Sequence, residues 1–259
     1  MMPNLRSAKV AITDHLTAPL IRKLESLGRL TADERASIQA MPVIGKRLTS
    51  GEEIAREGDE PKECCLLVDG FLQRYGTLSN GIRQTLSIHV SGDIPDLQGL
   101  HLRTMDHTLA SIGRSKVALI SHRDMLEVLR KAPRLTALFW RDSLIDAAIA
   151  RAWVKMLGGH DAFGKLAHFL CELYVRMDVV GLTDGNSCPL PLTQAQLGEA
   201  LGTSIVHINR TLKKLRADGL VEHKNGRLVI LNWDRLSEVA DFNPAYLNLR
   251  EPLGLAFGE

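Results

Sequence analysis

A chain of 259 residues with 45% hydrophobic side chains has room for about two domains, each with a buried core. Its formal net charge of +2 leaves it near neutral overall, so any attraction to phosphate has to come from a local excess of basic residues. No apolar run approaches the ~20 residues that span a bilayer, and the first residues, with Asp14 and His15 after a short mixed stretch, lack the basic-then-apolar pattern of a secretory signal, so the cytoplasm is expected, with no membrane contact.

In chain order, Leu16 to Ala40 reads as helical. From about Met41 to His122 the texture changes to short strands rich in Val, Ile and Leu, punctuated by Gly51, Gly58, Gly70, Gly76, Gly81 and Gly92. Glu63–Gly70, Phe71–Gly76, Arg83–Val90 and Lys116–Ile120 are the predicted strands, and turn signals about every ten residues indicate an antiparallel sandwich or barrel. The cysteines, Cys64, Cys65, Cys171 and Cys188, form no C-x-x-C pair. Adjacent Cys64 and Cys65 would point to opposite faces of a strand, so neither zinc nor an iron–sulfur cluster is expected, and these side chains read as small buried hydrophobes.

A helix is expected over Arg123–Lys131, and Pro133 opens a longer one running to about Leu157. On it Leu138, Ile145, Ile149, Ala152 and Met156 fall at three-, four- and seven-residue steps, with Asp142 interrupting the stripe. Such a stripe packs against its own domain or against a second copy. Its place between a β-domain and the module that follows favours a dimer seam. Another helix is expected from about Ala162 to Met177, then a Gly/Asp/Asn/Ser loop from Gly181 to Ser187.

Leu192 to Leu215 reads as two short helices joined by a glycine turn. Thr193 and Gln196 match an S/T-x-x-E/Q capping box, and Leu197, Ala200 and Leu201 give the first helix its apolar face. Gly202 relaxes the turn, and Thr203 or Ser204 caps the second helix. Ile208, Leu212 and Leu215 recur inward at helical spacing, which leaves Ile205, Val206, Asn209, Arg210 and Lys213 on the side a DNA major groove would meet. Leu220–His223 and Arg227–Leu231, joined through Lys224-Asn225-Gly226, then form a hairpin with an Asn-Gly turn, which makes the module a winged helix. Residues 188–231 carry six Lys or Arg against three acids, and the tail from Asn232 carries two against five. The basic excess therefore sits on the element that would face phosphates.

The order of β-roll, long helix and winged helix resembles the Crp/Fnr family of bacterial transcriptional regulators. The likeness extends over nearly the whole chain. Its most specific part is Thr193 to Val221, with Leu201-Gly202-Thr203 and Arg210-Thr211-Leu212-Lys213-Lys214-Leu215-Arg216-Ala217-Asp218-Gly219-Leu220-Val221. A looser part lies in Leu48-Thr49-Ser50-Gly51-Glu52-Glu53-Ile54, Gly58-Asp59, Leu66-Leu67-Val68-Asp69-Gly70 and Ser91-Gly92-Asp93-Ile94. The resemblance implies an α+β chain: an antiparallel β-roll, the cyclic-nucleotide-binding type of jelly roll, with N-terminal helices in residues 1–132, a dimerisation helix in 133–158, and a winged helix with its tail in 159–259. It also implies a homodimer on a palindromic double-stranded operator, a β-roll that senses a signal, and RNA polymerase as partner.

Departures from that pattern bear on mechanism. Where nucleotide-binding members place Gly-Glu-Leu and Arg-Ser against the ribose and cyclic phosphate, this chain has Pro95-Asp96-Leu97 and His107-Thr108. A phosphate there would lack its bidentate guanidinium, so cyclic AMP and cyclic GMP are not expected as ligands and no cofactor is evident. Asp96, Leu97, His107 and Thr108 remain the candidate pocket for another effector, unless Asp96, Asp106 and His107 only cap turns. The Fnr-type N-terminal cysteine cluster is missing, and the scattered His89, His101, His107 and His122 suggest no metal site. In the recognition helix Val206, after Ile205, stands where many members carry a glutamate that reads cytosine; both side chains suit a thymine methyl. Arg210 is kept and fits a guanine, Asn209 an adenine or a phosphate, and Thr193, Ser204, His207, Lys213, Lys214, Lys224 and Arg227 are placed for the DNA backbone. Two other readings are a ligand-sensing module whose winged helix binds protein, and an enzyme. The second finds no Ser/His/Asp order, phosphate-cradling loop or metal-ligand spacing to support it.

Overall fold

The computed structural model describes the backbone of residues 5–250 and the side chains of residues 16–250. The expectation resting on Asp14 and His15, and the last residues of the acidic tail, lie outside those described side chains. The chain divides into two compact units, one formed by residues up to Gly76 with Ile88–Leu144, the other by Thr77–Ser87 with the residues from Ile145 on. The cut falls inside the long helix, which the two units share.

The first unit begins with α1 (Leu5–Leu27) and α2 (Ala32–Gln39). What reads as one helical segment from Leu16 to Ala40 is broken by a second start signal. The Thr31 hydroxyl accepts the Glu34 N–H at 3.2 Å, and the Glu34 carboxylate takes the Thr31 N–H at 2.8 Å. Leu16, Leu20, Leu24 and Leu27 line one face of α1 and are buried.

An antiparallel sheet follows, built from β1 (Ile44–Leu48), β2 (Glu53–Ala55), β3 (Glu63–Thr77), β4 (Arg83–His89) and β5 (Thr108–Ser121). Its order is β1-β5-β3-β4, with β2 also on β5. The two strands predicted on either side of Gly70 are one strand with a bulge: register shifts flank Asp69, and Gly70 has φ +90°. A Cβ there would stand 2.7 Å from the Arg114 carbonyl oxygen, so β3 approaches β5 too closely for any side chain. Ser121 caps α3 (His122–Lys131), accepting the Asp124 N–H at 3.1 Å, and α4 (Pro133–Gly159) follows.

Most of the stripe expected at a dimer seam on α4 lies inside the chain itself. Ile145, Ile149 and Met156 are buried within the chain, Leu138 packs against the core of the first unit, and Ala152 is half-buried. The cause is what flanks the helix. At its start Arg141 Nη1 donates to the Leu27 carbonyl at 2.8 Å, which holds Leu135 and Phe139 in the core built on α1. Further along, the Trp153 indole meets the Phe169 ring edge-on at 5.8 Å and donates to Glu172 at 3.1 Å. Among the apolar residues left in solvent, Ala137, Trp140, Leu144, Ala147 and Val154 fall at steps of three, four and seven, with Trp140 68% and Val154 74% exposed.

The second unit is organised around α5 (Ala162–Val179), capped by Asp161 and buried almost all round from Leu166 to Met177. Then come β6 (Ser187–Pro189), α6 (Gln194–Leu201), α7 (Ile205–Ala217), β7 (Val221–Lys224), β8 (Arg227–Ile230) and α8 (Trp233–Val239), with the small sheet in the order β6-β8-β7. Strand β6 starts at Ser187, where the expected loop ends, and with three residues it is too short to show a period. The tip of the β3–β4 hairpin belongs to this unit, where Gln84 Nε2 donates to the Glu199 carbonyl of α6 at 2.9 Å. No helix among the described residues is long and apolar enough to cross a membrane.

Candidate nucleic-acid interface

Helix α6 starts where the capping box placed it: the Thr193 hydroxyl accepts the Gln196 N–H at 3.2 Å, and Gln196 Oε1 takes the Thr193 N–H at 2.8 Å. Gly202 ends it at φ +61°, the left-handed conformation glycine adopts without strain. Ser204, not Thr203, caps α7, accepting the His207 N–H at 3.2 Å. A second glycine matters that the sequence pattern did not single out. A Cβ on Gly198 would lie 2.7 Å from the Thr203 carbonyl oxygen, so the tight approach of the turn to α6 requires glycine there.

Ile208, Thr211, Leu212 and Leu215 hold α7 to the core, and its other face is open. Val206 is 80% exposed and Ile205 53%, with Arg210 and Lys213 exposed beside them. Arg210 Nη2 lies 3.1 Å from His207 Nδ1, and Asn209 Nδ2 donates to Gln194 Oε1 of α6 at 3.1 Å. Lys214 faces another way, its ammonium 4.4 Å from the Phe163 ring centroid. The wing is closed by Asn225 (φ +55°) and Gly226 (φ +71°), the left-handed pair of a type I′ turn, with Lys224 and Arg227 exposed on either side. Arg227 also donates to Ser187 Oγ at 3.0 Å. Thr193 and Ser204 are spent on caps, while Ile205, Val206, His207, Asn209, Arg210 and Lys213 share the face of one helix.

The expected pocket residues do not converge in the same way. A cavity of about 500 Å³ in the first unit is walled by Lys46, Lys62, Asp59, Glu60, Glu63 and Asp96, among others, while Leu97, His107 and Thr108 stand elsewhere. Asp96 is buried, and its Oδ1 takes the Cys65 N–H at 2.7 Å. Burial pushes its carboxyl up to about 6, against the pull of that N–H and of the nearby Arg74 charge. The Thr108 hydroxyl accepts the Glu57 N–H at 3.2 Å, and His107 Nδ1 lies 2.7 Å from Asp106. These groups do not fit a cyclic phosphate. The side chain at the arginine position is an imidazole already on a carboxylate, and the cavity wall carries more carboxylates than ammonium groups.

The cysteines do not fit a metal cluster either. All four are buried; burial pushes the Cys64, Cys65 and Cys171 thiols up, and that of Cys188 to about 12, away from the thiolate a metal needs. Among the described residues no three His, Cys, Asp or Glu side chains are grouped to hold a metal ion.

Comparison with known proteins agrees with the architecture. A Crp-like helix-turn-helix domain model matches residues 164–239, and a cyclic nucleotide-binding domain model matches residues 45–132. Electron transport regulator A of Shewanella oneidensis is 23% identical over 211 residues, 82% of this chain and 84% of that protein. The nitrogen fixation regulation protein FixK of Rhizobium meliloti is 26% identical over 194 residues, 73% and 84% of the two chains. Among solved structures, FixK2 from Bradyrhizobium japonicum superimposes with a TM-score of 0.70 at 22% identity, covering 77% of this chain and 98% of that one. A β-roll, a long helix and a winged helix with an open basic face define a DNA-binding transcriptional regulator. Both domain models and these relatives make the chain similar, along most of its length, to regulators of the Crp/Fnr family.

Proposed function

We propose that the protein is a homodimer that reads an inverted-repeat operator through α7, and that it regulates transcription rather than catalysing a reaction. The observation that carries this is the open face of α7, where Ile205, Val206 and Arg210 stand clear of the core between the Ser204 cap and the basic wing. Arg210 supplies the fork that matches O6 and N7 of a guanine, and Ile205 with Val206 supplies the apolar surface that favours a thymine methyl over a polar edge. Lys213, Lys224 and Arg227 lie toward the phosphates. The two copies pair through the exposed face of α4 rather than the stripe first expected. Trp140, Leu144, Ala147 and Val154 form a heptad-like seam in solvent, and half-sites one helical turn apart require two modules related by a two-fold axis.

The β-roll keeps the fold of a cyclic nucleotide-binding domain without the side chains such a ligand needs, so its effector is of another chemistry, and RNA polymerase is the partner at the promoter. Selection of bound duplexes from random DNA tests the reading. It should return an inverted repeat with a guanine in each half, and the selected sites should be the same with and without cyclic AMP or cyclic GMP. Sites without two-fold symmetry, or micromolar binding of either nucleotide by calorimetry, would overturn it.

A further inference from the structure

We infer that His207 is a positioning residue for base reading, holding the Arg210 guanidinium in place before DNA arrives; this rests on Arg210 being the guanine reader. Arginine has donors only, so at 3.1 Å the Nδ1 atom of His207 must accept from Nη2, and the ring proton sits on Nε2. The histidine is itself well fixed. Its N–H donates to Ser204 Oγ at 3.2 Å, its carbonyl accepts from the Thr211 hydroxyl at 2.9 Å, and its side chain is half-buried. One turn of helix separates positions 207 and 210, the spacing at which two side chains meet on the helix surface.

The bond leaves Arg210 free to read. Nη2 carries a second hydrogen and Nη1 two more, enough for the bidentate contact with guanine O6 and N7. An exposed arginine otherwise loses several rotamers on binding, and a partner that has already removed them lowers that loss. The adjacent side chain follows the same plan by a separate contact, since Asn209 is held by Gln194 from α6. Asn209 and Arg210 are thus both oriented by neighbours that need not touch a base themselves. A valine at position 207 would leave Arg210 without this acceptor.

The test compares full-length His207→Phe, which keeps a planar ring without the acceptor, with His207→Asn, whose amide oxygen replaces Nδ1. Binding is measured to the selected operator and to one with adenine replacing the guanine, at several salt concentrations, with thermal melts to check folding. His207→Phe should lose roughly 3- to 10-fold in guanine discrimination, the range for one ordered long side chain. Its salt dependence should stay the same, and His207→Asn should recover most of the loss. In an Arg210→Ala background His207→Phe should change discrimination no further. Unchanged discrimination in His207→Phe, or an equal loss on both operators with a shallower salt dependence, would overturn the inference and make His207 a bystander or a phosphate contact. If Arg210→Ala alone keeps the full guanine preference, the assignment of Arg210 fails first, and the two failures are told apart.

Discussion

Asp96 is a carboxyl that the fold holds out of water at a cost. Its pKa is shifted up to about 6 by burial, against 3.8 for the free group. Between those values the folded chain binds a proton that the unfolded chain has released, so stability falls as pH rises from about 4 to about 6, and the penalty persists above that window. At about 1.4 kcal/mol per pH unit the loss is roughly 3 kcal/mol at neutral pH. Asp96→Asn keeps an oxygen for the Cys65 N–H and carries no charge, so it should raise stability at pH 7 by roughly 2–3 kcal/mol and flatten the dependence below pH 6. Urea melts from about pH 4 to 7 would show this; a variant no more stable than the parent at neutral pH, with the same slope below it, would refute it. Nothing at position 96 announces this role, because the partner lies 31 residues away on β3. Thr193 and Gln196, or Asn225 and Gly226, were legible because each pair completes its contact within three residues. Gly198 has its reason in the carbonyl of Thr203, across the turn, which no local pattern shows.

Helix α4 shows the same limit for an element. Leu138, Ile145, Ile149, Ala152 and Met156 keep a helical period, and so do Ala137, Trp140, Leu144, Ala147 and Val154, so periodicity gives a helix with two apolar faces and no means of choosing between them. Contacts distant in sequence decide it: Arg141 on the Leu27 carbonyl, and Trp153 on Glu172. Leu144→Asp with Val154→Asp should therefore yield folded monomers by light scattering, whereas Ile145→Asp should lose several kcal/mol of stability by placing a carboxylate in the core. A doubly substituted chain that stays dimeric would exclude this face. The tail gives a second case, since it reads only as an acidic extension. Tyr246 donates to Glu172 at 2.7 Å and stacks on His168 at 6.3 Å, with Phe242 edge-on to both. Tyr246→Phe leaves Glu172 one donor short in a buried site and should cost about 1–3 kcal/mol. A melting temperature equal to the parent's would show that the tail contributes nothing through this bond.

For the whole molecule, the balance of charge is local: six basic residues against three acidic within residues 188–231, on a chain of net charge +2. A uniformly basic protein would hold any duplex by its total field. Here the attraction is confined to α7 and the wing, so single substitutions should be resolvable in the salt dependence of binding. Lys224, exposed beside the wing turn, is the clearest probe, and Lys224→Ala should weaken binding to every sequence about equally, while Arg210→Ala should cost roughly 1–3 kcal/mol on the preferred site and relax it at one guanine per half. Each lost phosphate contact lowers the slope of log affinity against log salt by about 0.9. In a homodimer every substitution is made twice. Lys224→Ala should then reduce the slope by about 1.8 on a full palindrome, but by about 0.9 if a single copy binds. Titrations of labelled duplexes at four or more salt concentrations therefore test the wing contact and the number of modules on the operator together. A slope unchanged from the parent would remove Lys224 from the phosphate backbone, and a change of half the expected size would leave one module bound.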